Sequence, residues 1–247
     1  MSCNNYDVFN TISVDNFILK SQEDVFYSSP IHSSQNLRHS LIFGMNLFNH
    51  IIIVVLTLAM AYKCWLLEFK KTALHAHLCT MGFVLLMAEG MMVRYPGNLL
   101  LNQYMSSSTK NLIHGLLQFV GGSLGIGGTL QKYWGKEIHF KSIHAKLGLA
   151  ACILCTINFV SGLVSLFYPA SLGSIRLMHG FLGLTTFITG MLCQFYGYET
   201  GFFNRNFSLK EKHLYKFFTI VILALTTIGP LKLFLFKLSK LMFNESL

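Results

Sequence analysis

The chain has 247 residues, of which 53% are hydrophobic and 12% charged, and its mean hydropathy is positive. So little charge excludes an ordinary soluble domain and describes a polytopic membrane protein. The net charge of +9 could point to nucleic acid, yet the basic residues stand singly in short stretches between apolar runs and form no stripe, which excludes that partner too.

Residues 1–40 are polar, carry Asp7, Asp15, Glu23 and Asp24, and lack the basic start and apolar core of a secretory signal; they are expected to form a mobile tail. A bilayer core of roughly 30 Å needs about 20 apolar residues per helix. Six segments qualify, at about 41–61, 73–93, 112–130, 145–167, 177–198 and 214–236, leaving 237–247 as a short C-terminal tail. Open backbone cannot face lipid and the short alternating strands of a barrel are absent, so the predicted fold is all-α with six transmembrane helices.

The first segment ends in Lys63 and Trp65, a basic and aromatic pair suited to the headgroup layer. Its one histidine, His50, suits a local hydrogen bond better than a metal. The second follows Lys70 and Lys71 and runs from His75 to Arg94-Tyr95-Pro96, about 28 Å at 1.5 Å per residue. The fourth repeats this plan from His144 to Tyr168-Pro169. The segments that follow them each open on a basic residue and then a histidine, Lys110 before His114 and Arg176 before His179. The pattern is an internal duplication of a two-helix unit, a common way to build a site between halves.

The glycines Gly121, Gly122, Gly125, Gly127 and Gly128 follow no strand and sit inside an apolar helix, so they are no dinucleotide loop. Small residues there admit a close neighbour, either another helix or a flat rigid group such as a porphyrin. Cys79, Cys152, Cys155 and Cys193 lie within the spans and read as small apolar groups, Cys152-Ile-Leu-Cys155 included.

Successive helices alternate in direction, which sorts the histidines by depth. The second and fourth helices share a direction, so His75 and His144 stand at one level. The third and fifth run oppositely and bring His114 and His179 to the other. Two imidazoles at each of two levels suit two six-coordinate haems, separated by roughly 20 Å. A haem-free, histidine-dependent proton-coupled transporter or channel is the rival, but a proton path gains from acids at several depths and Glu89 is the only carboxylate deep in a span. His77 competes with His75 but points elsewhere on the helix. His139 competes with His144 from the adjoining loop.

The flanking charges favour the face bearing Lys63, Lys70, Lys71, Lys132, Lys136, Lys141, Lys146, Arg205, Lys210, Lys212 and Lys216 as cytosolic, whereas the sequon Asn206-Phe207-Ser208 would place that face in a lumen.

The segments His75-Ala-His-Leu-Cys79 with Met87-Ala-Glu89, His114-Gly-Leu-Leu-Gln118, His139-Phe-Lys-Ser-Ile-His144 and Arg176-Leu-Met-His179-Gly180 resemble the cytochrome b561 family, and within it the short animal branch of cytochrome b561 domain-containing proteins. Ala76 stands where most relatives have proline. The resemblance covers about 41–230 and implies a six-helix domain at 41–236 with a four-helix di-haem core at about 73–198. It selects His75 over His77 and His144 over His139, and implies two haem b groups, one held by His75 and His144 and the other by His114 and His179. It further implies an ascorbate-dependent transmembrane oxidoreductase that passes electrons from cytosolic ascorbate to monodehydroascorbate or ferric iron across the bilayer. Both termini would be cytosolic and the membrane an endomembrane, endoplasmic reticulum or vesicle, rather than the plasma membrane. Lys110 and Arg176 are then placed to hold the ascorbate anion, and Lys71 and His139 to meet an acceptor. Whether two copies associate as a homodimer is left open.

Overall fold

The computed structural model describes residues 30–95, 104–134, 141–167 and 173–243. The chain divides into two compact units, Met1–Gly44 and Met45–Leu247. In the first, the described residues are helical and open helix α1, Pro30–Leu66. The described residues of the second hold the rest of α1 and five further long helices: α2 Lys71–Arg94, α3 Ser107–Tyr133, α4 Ile143–Phe167, α5 Gly173–Gly197 and α6 Leu209–Met242. A short helix, Gly201–Asn206, precedes α6. The described residues contain no strand.

The ends of these helices follow from local chemistry. Tyr95 closes α2 in extended backbone (φ −78°, ψ 123°), the conformation that the proline after it favours. Ser106 starts α3 by accepting from the Thr109 amide at 3.1 Å. Ser208 starts α6 with a capping box, its amide donating to Glu211 at 2.7 Å while its hydroxyl accepts from the Glu211 amide at 3.3 Å.

Among the described residues, five helices are long and apolar enough to cross a bilayer: Leu37–Leu66, Lys71–Arg94, Ile143–Phe167, Ser174–Gly197 and Leu209–Met242. Val54, Leu58, Ile153, Val160, Leu163 and Phe217 are all exposed, which suits hydrocarbon rather than water. The chain is thus an all-α integral membrane protein. α3, counted above among the spans, falls short in hydropathy because glycines and polar residues such as Asn111 and Gln118 dilute its apolar run. It nonetheless lies antiparallel along α2, bonded to it near both ends through His75 with Gly128 and His114 with Gly90, and so shares its depth.

That alignment is close. The middle of α2, Thr80–Met87, is a π-helix, and a Cβ placed on its Gly82 would stand 2.5 Å from the Gly121 carbonyl oxygen and 2.9 Å from the Gly125 nitrogen. α2 and α3 therefore touch backbone to backbone, as small residues permit between membrane helices. Phe83 and Val84 of α2, Phe187 and Met191 of α5, Ile53 of α1 and Ile222 of α6 fill the core around this contact. Buried polar side chains are tied between helices: Gln194 donates to Thr80 at 2.7 Å, and Asn49 to Thr226 at 3.0 Å.

Candidate functional site

Each of α2 to α5 carries one of the four histidines in its opening turns, and the bundle brings them together in twos. The rings of His75 and His144 stand nearly perpendicular, with centroids 5.9 Å apart and planes at 83°. Those of His114 and His179 stand 6.3 Å apart at 89°. A metal held between two imidazoles, with bonds of about 2.0 Å and about 1.1 Å more from each nitrogen to its ring centre, would set centroids about 6 Å apart. Both ring pairs have that spacing.

In each of these four histidines Nδ1 is engaged. Nδ1 of His75 donates to the Gly128 carbonyl at 2.8 Å, that of His114 to Gly90 at 2.7 Å and that of His144 to Cys193 at 2.9 Å. A carbonyl can only accept, so these Nδ1 atoms carry the proton and Nε2 carries the lone pair. His179 meets the Ser161 hydroxyl at 3.1 Å; because that hydroxyl donates to the Asn158 carbonyl at 2.8 Å, it accepts from His179. All four imidazoles thus share one tautomer, the one in which a ring is oriented by its Nδ1 partner and binds metal through Nε2.

The anchoring is reciprocal within each helix hairpin. α3 supplies the acceptor for His75 of α2, and α2 supplies the acceptor for His114 of α3. α5 does this for His144 of α4, and α4 for His179 of α5. Small residues back both rings of the α4–α5 hairpin: a Cβ on Gly197 would come within 3.3 Å of His144 Cε1, and one on Gly162 within 3.1 Å of His179 Cε1.

A cavity of about 350 Å³ opens beside the His75 and His144 rings. Phe83 forms part of its inner wall, while Lys132 and Arg205 lie towards the end where α3 stops and α6 begins. An apolar slot with a cationic rim fits a flat apolar ring bearing carboxylates, so the residues present suit a haem. At the other level Arg94 hydrogen-bonds Asn111 and lies near enough to His114, His179 and Arg176 to act on them electrostatically.

Among the remaining sequence candidates, Lys110 and Arg176 stand in the opening turns of α3 and α5, one turn before their histidines. Lys71 is exposed at the start of α2 and borders a surface pocket with Gln131 and Trp134. His139 lies outside the described residues. His77 turns its ring edge onto Phe69, centroids 5.1 Å apart, and its buried Nδ1 has no hydrogen-bond partner. His50 meets both oxygens of Glu89, at 2.7 and 2.9 Å. In the sequence Arg94 marks only the end of the second segment; its signal was that the third and fifth segments begin, at Lys110 and Arg176, at the level where the second ends. The sequence reading gave no role to Ser161.

Residues 74–204 match the family model described as eukaryotic cytochrome b561. The match takes in all four helix-opening histidines, and it reaches the family as a whole rather than any branch of it. Among curated proteins, none matches the chain at a significant level.

Proposed function

Since the chain belongs to the cytochrome b561 family, which binds haem b and moves electrons across membranes, we propose that it carries single electrons from ascorbate on one face to monodehydroascorbate or ferric iron on the other, through two b haems. His114 and His179 hold the donor-side iron, and His75 and His144 the acceptor-side iron. The observation that supports this reading is the pair of opposed imidazole couples, each ring presenting the same tautomer.

Haem closed on both sides by imidazole supplies reversible one-electron chemistry without an open coordination position. The protein's share is to fix the rings, keep the interior dry and set the spacing. Three main-chain carbonyls and one hydroxyl hold the Nδ1 protons, so each ring keeps its orientation as the charge at its Nε2 changes. Phe83, buried on α2 between its two ends, fills the space between the levels and excludes water there. Along α2 the levels are about 20 Å apart.

On the donor face, Arg94, Lys110 and Arg176 present cations to an ascorbate monoanion beside the His114 and His179 level. On the acceptor face, Lys71 and His139 meet the oxidant. We assign the donor face to the cytosol, which places both termini there, and the membrane to an endomembrane.

The purified protein should show two resolved reduced haem signals and two haems per chain. His114→Ala should halve the haem-to-protein ratio and abolish one signal while keeping the other. A colourless protein would sink the reading and favour the haem-free transporter; an unchanged ratio in the variant would sink the ligand assignment.

A further inference from the structure

We propose that Ser161 is a positioning residue that sets how strongly His179 donates to its iron, and so tunes the potential of the haem between His114 and His179 independently of the other. The inference rests on the two-haem reading above.

The four Nδ1 contacts are not equivalent. Three end on main-chain carbonyls at 2.7 to 2.9 Å, whereas the fourth meets a side-chain hydroxyl at 3.1 Å, with the Asn158 main-chain carbonyl that this hydroxyl bonds also acting on the His179 ring. A hydroxyl at that distance draws less on the Nδ1 proton than an amide carbonyl held closer. The Ser161 hydroxyl is also committed elsewhere, donating to the Asn158 carbonyl at 2.8 Å with the Asn158 side-chain oxygen at 3.3 Å, so its lone pair stays turned to the ring. Gly162, the next residue, lets the ring lie close against α4, beside the Ser161 hydroxyl.

An imidazole whose Nδ1 proton is strongly accepted is a better electron donor through Nε2, which favours ferric iron and lowers the potential. Removing the acceptor works in the opposite direction. An ordinary role is also open to Ser161, since a serine in a membrane helix commonly bonds a carbonyl one turn back. Such a role would move thermal stability and leave the potential where it was.

The test is a spectroelectrochemical titration of the full-length protein, its two haem signals assigned by the one that His179→Ala removes. Ser161→Ala should raise the midpoint of the His114 and His179 haem, increasing its reduced-to-oxidised ratio severalfold at fixed poise (tenfold corresponds to 59 mV for one electron), with the other haem unmoved. Ser161→Cys, a weak acceptor, should give a smaller rise. Ser161→Thr, which restores the hydroxyl, should return the parent value. If Ser161→Ala cannot hold haem at that level, the Cys and Thr variants decide in the same way. An unmoved or lowered midpoint in Ser161→Ala or Ser161→Cys, an equal shift of both haems, or a Thr variant that behaves like the Cys variant would overturn the proposal. Unmoved midpoints in a protein that keeps both haems would end the proposal for Ser161 alone, whereas an unmodified protein without haem would end the functional reading beneath it.

Discussion

The α2–α3 and α4–α5 hairpins perform one task with different materials. In α2–α3 the helices meet through bare backbone at Gly82, Gly121 and Gly125, and both histidines are anchored on glycine carbonyls. In α4–α5 the anchors are the Cys193 carbonyl and the Ser161 hydroxyl. Most of the apolar run of α2 is buried, whereas little of that of α4 is. The two hairpins thus differ: the geometry of α2–α3 is fixed by backbone contact, whereas α4–α5 is less buried along α4 and anchors one of its histidines through a side chain.

That contrast can be broken most directly at the glycines. Gly82→Ala should destabilise the protein by about 3 kcal/mol, because its Cβ meets main chain on α3 that cannot step aside. Thermal unfolding would register the loss, with both haem signals weakened. Gly148→Ala in α4, whose Cβ would rest at an ordinary 3.5 Å from Cys193 Sγ, should leave stability unchanged. Equal losses would mean that the two hairpins do not differ as described.

A smaller effect should separate the two faces of the membrane. Arg94→Ala removes a cation beside the His114 and His179 level and should raise the KM for ascorbate roughly tenfold, the worth of one charge-assisted bond. Lys71→Ala, at the opposite face, should leave that KM as it was; steady-state oxidation of ascorbate across proteoliposomes reads both. Gly162→Ala and Gly197→Ala should each crowd one imidazole by a few tenths of an ångström, costing about 1 kcal/mol, and should disturb different haem signals, the first that of His179 and the second that of His144. A common spectral change in the two would blur the levels. Smallest of all, Ser208→Ala removes the cap of α6 outside both hairpins, and should lower stability by about 1 kcal/mol without altering either haem spectrum.

Much of this arrangement could be read from the chain because it depends on local rules. Apolar length gave the spans, and alternating helix direction put His75 with His144 and His114 with His179 at two depths, since any crossing helix must reverse its neighbour. α3 shows the limit of that logic. Its glycines weaken its hydropathy, yet they are what seats it against α2. The His50 and Glu89 contact joins residues far apart in sequence, and no periodicity marks it. The π-helix in α2 is likewise silent in Thr80–Met87, whose composition suits any apolar helix. The carbonyl partners of three histidines could not be read at all, because a main-chain acceptor has no letter of its own. Arg94 was visible as a charge but not as a neighbour of two imidazoles, which requires the fold.

Main-chain anchoring also governs how such a protein can vary. Substitution at Cys193 changes a side chain but leaves the oxygen that steadies His144, so drift there is buffered, whereas a Cβ on Gly90 would stand 2.8 Å from the Gln118 side chain and one on Gly128 3.1 Å from Cys79, so those two carbonyls are kept only while the glycines are. Codon 161 has no such insulation. There a single substitution removes the contacting oxygen itself, making it the one place of the four where the ring's hydrogen-bond partner is a side chain that sequence change can replace.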